Sequence, residues 1–284
     1  MPILKDDVQI LRVREQSNSS QIVVALGRRL GQFHVMAKGA RRWPKKGFEG
    51  GFDLLARGEL LCYPRPDDQL WIFKEWDERA RPPIGQSYRM LAAGSYLVEL
   101  IEALTRHTAG SAYEDGAHAD DTVAKLYDLL AGTVDALAAQ AAHSGNLLLG
   151  FTLKALEIEG VLMPLNHCHL CETHFFEHST ERGAKAGNVW LSTSGLECKA
   201  CVERKRLALK KSGAPESAER GVWLSPDAHR ALLHIRRTVK PMKLSATAAE
   251  QLARALMILV HGALERDLRT LPYAMKLIKS MAKS

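Results

Sequence analysis

Two Cys-x-x-Cys pairs, Cys168-His169-Leu170-Cys171 and Cys198-Lys199-Ala200-Cys201, constrain this 284-residue chain more than any other feature. Each pair presents two thiolates from one tight turn. Two such turns brought together close a tetrahedron around one ion of intermediate softness and leave no position for a reacting water. The expected ligands are therefore Cys168, Cys171, Cys198 and Cys201, and the expected cofactor is one structural zinc per chain. The gap between the pairs is 26 residues, longer than the roughly 15–20 usual for this pattern. The stretch Thr180 to Asn188, rich in Gly, Ala and charge, would form a hairpin insertion, and Phe175-Phe176 with Val189-Trp190-Leu191 would supply ribbon strands. Two other readings stay open. One is a redox disulfide pair, and the other a mixed site in which His167, His169, His174 or His178 replaces a cysteine. Cys62 stands apart in an apolar strand and reads as a buried core residue.

The first 80 residues alternate with a period near two in five short runs: Val8–Arg14, Gln21–Leu26, Gln32–Lys38, Asp53–Tyr63 and Gln69–Trp76. Turn residues separate them, among them Ser17-Asn18-Ser19-Ser20, Gly27 with Gly31, and Pro64-Arg65-Pro66-Asp67-Asp68. Five strands with no intervening helix suit a small barrel, and five is the strand count of the OB-fold. SH3-like barrels and other small β domains share that pattern, so they stay open beside the expected N-terminal OB-fold nucleic-acid-binding domain at residues 1–81, whose end the consecutive prolines after Arg81 mark.

From Gln86 the period changes to about 3.6. Met90, Ala93, Leu97, Leu100, Ile101 and Leu104 fall on one helix face, and Val123, Leu126, Leu130, Val134 and Leu137 on another, with Asp120 or Asp121 as N-cap. A third helix should run from about Ser144 to Glu159 and stop at Gly160. Two more are expected near the C-terminus, one starting at Ser225-Pro226 and one carrying Leu252, Leu256 and Leu259. The expected class is α+β multidomain: the barrel, an all-helical central domain whose first part is 86–165, an inserted four-cysteine zinc-ribbon module at 166–212, and C-terminal helices at 222–284 packing on the helical domain.

The net charge of +7 hides a split. Residues 1–85 carry 15 basic and 11 acidic side chains, residues 86–165 carry 4 and 10, and residues 166–284 carry 20 and 11. Two basic ends around an acidic middle point to a polyanion reached by both ends. Its densest contact would be Lys38, Arg41, Arg42, Trp43, Lys45 and Lys46, where cations follow phosphates and Trp43 offers a stacking face. Arg204, Lys205 and Arg206, just past the last cysteine, either extend that surface or keep an exposed helix soluble.

No phosphate loop, H-E-x-x-H helix or G-x-S-x-G elbow occurs, so no enzyme activity is expected. No apolar run is long enough to span a bilayer and no signal peptide is evident, which gives an expected cytoplasmic location. Two competing classes are an enzyme with a structural zinc ribbon and an RNA-binding factor, since such a barrel does not itself separate RNA from DNA.

The run from Gly31 to Arg42 matches G-x-x-x-x-x-A-K-G-A-R-R, Ser95-Tyr96-Leu97-Val98-Glu99-Leu100 matches a first helix, and Phe151-Thr152-Leu153-Lys154-Ala155-Leu156 leads toward the cysteines. With the order of parts, these stretches resemble the RecO family of bacterial recombination-mediator and DNA-repair proteins, in its zinc-bearing branch. Trp43 before Pro44, with Lys45-Lys46-Gly47 after it, departs from the family pattern but keeps the charge. The resemblance implies binding of single- and double-stranded DNA, and annealing of complementary strands coated with single-strand-binding protein. It also implies action with RecR, and in some systems RecF, to help RecA load, with association to the nucleoid during repair. The helical part would accept the acidic C-terminal tail of single-strand-binding protein, near cations such as Arg106 or Lys154.

Overall fold

The computed structural model describes residues 3–40, 51–65, 70–108, 121–139, 143–175, 188–212, 220–238 and 244–283. The chain divides into two compact units, 1–141 and 142–284.

In the first unit, β1 (Leu4–Glu15), β2 (Gln21–Gly27), β3 (Gly31–Ala37), β4 (Arg57–Tyr63) and β5 (Leu70–Ala80) close a barrel in the order β1-β2-β3-β5-β4. Every neighbouring pair is antiparallel except β3 with β5. This is the five-stranded Greek-key barrel of the OB-fold. Alternation is what closes it: β4 buries Gly58, Leu60 and Cys62 and turns the residues between them outward. Val8, Ile10, Val23, Phe33, Val35, Leu60, Trp71 and Phe73 fill the interior, with Phe33 stacked on Trp71 at 4.7 Å between ring centroids. Cys62 belongs to this core, where burial pushes its thiol up to about 12. Expected and observed strands differ at their ends. Asp53 to Ala56 form a turn before β4, and β5 continues to Ala80, past the expected end at Trp76.

Helix α1 (Tyr88–Leu104) starts at Ser87, whose hydroxyl accepts the Met90 N–H, and α2 spans Asp121–Ala139 with Asp121 as its first residue. The expected cap Asp120 lies outside the described residues. Both helices belong with the barrel. Arg12 on β1 donates to Glu102 on α1 at 2.6 Å, and Arg28 grips Asp128 on α2 through two bonds of 2.9 and 2.8 Å. At the end of α1, the Thr108 hydroxyl accepts from the Gln32 N–H at 3.2 Å. Gly31 has a φ of +69°, and a Cβ there would sit 2.8 Å from that hydroxyl oxygen, so the glycine opening the Gly31–Arg42 run has a steric reason.

In the second unit, α3 (Ser144–Ile158) packs against three later helices: α5 (Pro226–Arg237), α6 (Ala246–Leu264) and α7 (Leu271–Lys279). Gly160, with a φ of +73°, follows the end of α3 as expected. Ser225 caps α5 through the Ala228 N–H, and Ser245 caps α6 through the Ala248 N–H. The C-terminal segment thus holds three helices rather than the expected two, because α7 is a separate nine-residue helix opening at Leu271-Pro272.

Between α3 and α5 lie β6 (Val189–Ser192), β7 (Gly195–Cys198), α4 (Lys199–Ser212) and β8 (Gly221–Leu224), with the strands paired in the order β7-β6-β8. This corrects the expected ribbon strands. Val189-Trp190-Leu191 is a strand, but Phe175 sits in a bend, donating its N–H to Asn166 O at 2.9 Å and setting its ring edge-on to His229. Residue 176 and the expected hairpin insertion up to residue 187 lie outside the described residues. No described helix is long and apolar enough to cross a membrane.

Candidate metal centre and nucleic-acid surface

The first cysteine pair is built by a tight loop. The Cys168 N–H donates to Thr173 O at 3.0 Å, the Glu172 N–H returns to Cys168 O at 2.8 Å, and Glu172 takes a left-handed φ of +58°. The second pair lies where strand becomes helix: Cys198 ends β7 and Cys201 stands in the first turn of α4. The loop is tied to the sheet by the His169 N–H donating to Leu196 O at 2.9 Å, and the Cys198 N–H points at Cys168 Sγ at 3.4 Å. Cys168 and Cys201 are buried, Cys198 half-buried and Cys171 exposed.

The four Sγ atoms lie within 4.8 Å of one another, and those of Cys171 and Cys198 are 3.8 Å apart. A tetrahedron with metal–sulfur bonds of about 2.3 Å has edges of about 3.8 Å. The donor set therefore fits zinc in both chemistry and spacing. The Thr173 hydroxyl, 3.2 Å from Cys171 Sγ, and the Thr173 backbone draw that thiol down to about 6, whereas desolvation pushes Cys201 up to about 12. Cys171 is also the outermost of the four, which suits it to meet an incoming cation.

The alternatives fare differently. All four cysteines are free, with no S–S bond, and among the described residues the ligand cluster contains cysteines alone. His169 turns its Nε2 to Glu197 Oε1 at 3.4 Å, and His167 and His174 face each other across an isolated antiparallel bridge. These histidines brace the loop, while His178 lies outside the described residues. Glu197, Thr173 and the tight turn at Glu172 do not stand out in the sequence. The one signal for them there is their closeness to the cysteines.

Of the expected nucleic-acid contacts, Lys38 is exposed just past the end of β3, while Arg41, Arg42, Trp43, Lys45 and Lys46 lie outside the described residues. Arg204 and Arg206 are exposed on α4, and Lys205 is turned to Glu197 at 3.3 Å. The barrel adds residues that the sequence does not single out. Strand register aligns Arg14, Ile22, Met36, Ile72 and Tyr63 across β1, β2, β3, β5 and β4, a row pointing away from the core. Lys74 lies over the Tyr63 ring at 5.9 Å from its centroid.

The family model "Recombination protein O C terminal" matches residues 85–272, well over half of the chain. The chain belongs to the RecO family. It is 28% identical over 193 residues to the DNA repair protein RecO of Rhodopirellula baltica, covering 68% of this chain and 64% of that protein. It is 24% identical over 209 residues to the RecO of Alkaliphilus metalliredigens, covering 70% and 72%, and 25% identical over 171 residues to that of Frankia casuarinae, covering 60% and 65%. The chain thus spans just under two thirds of the length of two of these RecO relatives.

Proposed function

We propose that this protein is a non-enzymatic mediator of recombinational DNA repair. It binds single- and double-stranded DNA, anneals complementary strands coated with single-strand-binding protein, and acts with RecR, and with RecF where present, to help RecA load. The observation that carries this reading is the outward row on an OB-type barrel: Arg14 and Lys74 flank Ile22, Met36, Ile72 and Tyr63, and β3 leads past Lys38 into the cationic run 41–46. Cations beside tolerant apolar and aromatic surface hold a strand without demanding a base sequence. The names of the relatives support the repair setting.

On this reading the stretches 1–81, 86–165, 166–212 and 222–284 divide the work into strand binding, protein contact, zinc module and closing helices. One zinc on Cys168, Cys171, Cys198 and Cys201 supplies folding energy to the module rather than chemistry. The acidic tail of single-strand-binding protein is received in a groove of about 430 Å³ in the second unit, lined by Lys154, His174, Leu233, Arg236 and Arg237. Glu157 holds Lys154 at 3.0 Å and Arg236 at 2.6 Å, which leaves Arg237 to meet carboxylates beside the apolar Leu233. Arg106, the other expected cation, is not part of this lining. The protein works in the bacterial cytoplasm, at the nucleoid during repair.

The test is annealing of complementary strands, each pre-coated with single-strand-binding protein, with no nucleotide added. The expected result is that the full chain accelerates annealing stoichiometrically. No acceleration together with no strand binding overturns the proposal.

A further inference from the structure

We propose that the outer face of the small three-stranded sheet is a stacking platform for unpaired DNA bases, with Trp190 and Trp223 as its aromatic surfaces. The proposal rests on the DNA-binding reading above and adds to it a second strand contact, in the zinc module.

Register aligns Trp223, Trp190 and Glu197 across β8, β6 and β7, so all three point to one face of the sheet. The other face, formed by Val189, Leu191, Leu196, Val222 and Leu224, is fully buried. The sheet has therefore already placed its aliphatic side in the core, and the two tryptophans on the opposite side are only half-buried. Their ring centroids are 5.4 Å apart at 58°, so the rings are tilted rather than stacked on each other, and each keeps part of its surface exposed. Gly221 makes this possible. A Cβ there would lie 2.2 Å from a carbon of the Trp190 six-membered ring, so only bare backbone lets the indole lie flat on the sheet.

The charge around the platform selects the occupant. Glu197, the third residue of the row, is buried and paired with Lys205 at 3.3 Å, so it presents no free anion. Helix α4 carries Lys199, Arg204, Lys205, Arg206, Lys210 and Lys211 against the single acid Glu203. On the other flank, a groove of about 590 Å³ runs from both tryptophans to Thr247, Gln251 and Arg254 on α6. Its one carboxylate, Glu250, is matched by Arg254 at 3.3 Å and Lys279 at 2.8 Å. An aromatic surface with a cationic helix on one flank and a charge-balanced groove on the other suits a polyanion with exposed π-faces. Single-stranded DNA has both properties. A duplex keeps its bases stacked inside and offers only phosphates.

The experiment titrates a thymidine oligomer, an abasic strand of equal length and a blunt duplex into the full chain carrying Trp43→Phe. The tryptophans that remain in it besides Trp190 and Trp223 are Trp71 and Trp76, both buried in the barrel. Quenching of tryptophan fluorescence by the thymidine oligomer, absent with the abasic strand, is expected. Trp190→Leu with Trp223→Leu should weaken oligomer binding at least about fivefold, the low end of what one stacked base contributes, and leave abasic-strand and duplex affinity within about twofold. Trp190→Phe with Trp223→Phe should restore most of the loss and stands in if the leucine variant does not fold. Bound oligomer without quenching, or an equal loss on all three ligands, overturns the platform. A wild-type chain that binds no single strand overturns the DNA-binding reading itself, whereas a Trp43→Phe parent that binds and leucine variants that bind equally well overturn the platform alone.

Discussion

Cys171 Sγ and Cys198 Sγ stand 3.8 Å apart although one belongs to a loop after α3 and the other to the end of β7, 27 positions along the chain. That approach brings four thiols to one point, and without a cation to share, their ionised forms would repel. The expected outcome is about one zinc per chain by elemental analysis of a preparation never exposed to chelator. Cys168→Ser should lose the metal together with the ordered signal of the β6-β7-β8 sheet, while Cys62→Ser, a core substitution in the barrel, should keep it. Full zinc in Cys168→Ser would remove that residue from the site.

Barrel closure depends on Gly58. A Cβ at this position would lie 2.2 Å from the Asp77 carbonyl oxygen, a backbone atom that no rotamer change can move, where the β4–β5 register shifts. Gly58→Ala should destabilise the first unit by about 1–3 kcal/mol, seen as a lower thermal midpoint, with strand binding lost in parallel on heating. An unchanged midpoint would mean the bulge relaxes freely.

His229 ties α5 to the segment before the cysteines. Its Nε2–H donates to Leu165 O at 2.7 Å, and burial holds the ring's pKa below the ordinary histidine value despite that bond, which favours the protonated form. With a depressed folded pKa, the unfolded chain takes up the proton first. The stability is therefore present above the unfolded value of about 6.5 and is lost as pH falls through it toward the folded value. Melting from about pH 7 to about pH 5 should show a decline that is shallower in His229→Gln, which keeps a donor for Leu165. Parallel declines would exclude His229 as the titrating group.

Arg237 on α5 lines the groove beside Lys154 and Leu233 and is exposed. Arg237→Glu should weaken binding of an acidic peptide copying the tail of single-strand-binding protein by about tenfold, the order expected when one charge-assisted contact becomes a repulsion. Equal affinity by calorimetry would move the tail elsewhere.

Much of the fold and the metal site is legible in the residues, for identifiable reasons. The barrel strands announce themselves because their faces differ: β4 alternates buried and half-buried residues without a break. Its ends do not, because Asp53 to Ala56 lead into β4 with no glycine or proline to break them but turn instead, with Ala56 N–H bonded back to Asp53 O. The cysteine spacing reveals the ligand set, since two C-x-x-C turns have few other uses. The sheet that carries the second pair is hidden. β7 and β8 have four residues each, too few for a period, and Gly195 and Gly221 read as breakers although one accommodates the His169 ring and the other the Trp190 ring. The outward row from Arg14 to Tyr63 depends on register across five strands, which no local window contains.

The most direct test of DNA binding as this protein's work is the salt dependence of its affinity for a single strand, compared with Arg41→Glu/Arg42→Glu. The wild-type chain should lose affinity linearly in log K against log salt. The variant should bind more weakly with a slope shallower by about 1.4, two phosphate contacts at about 0.7 each. Identical slopes and affinities, or a wild-type chain indifferent to salt, would contradict a strand-binding surface built on this barrel and its cationic loop.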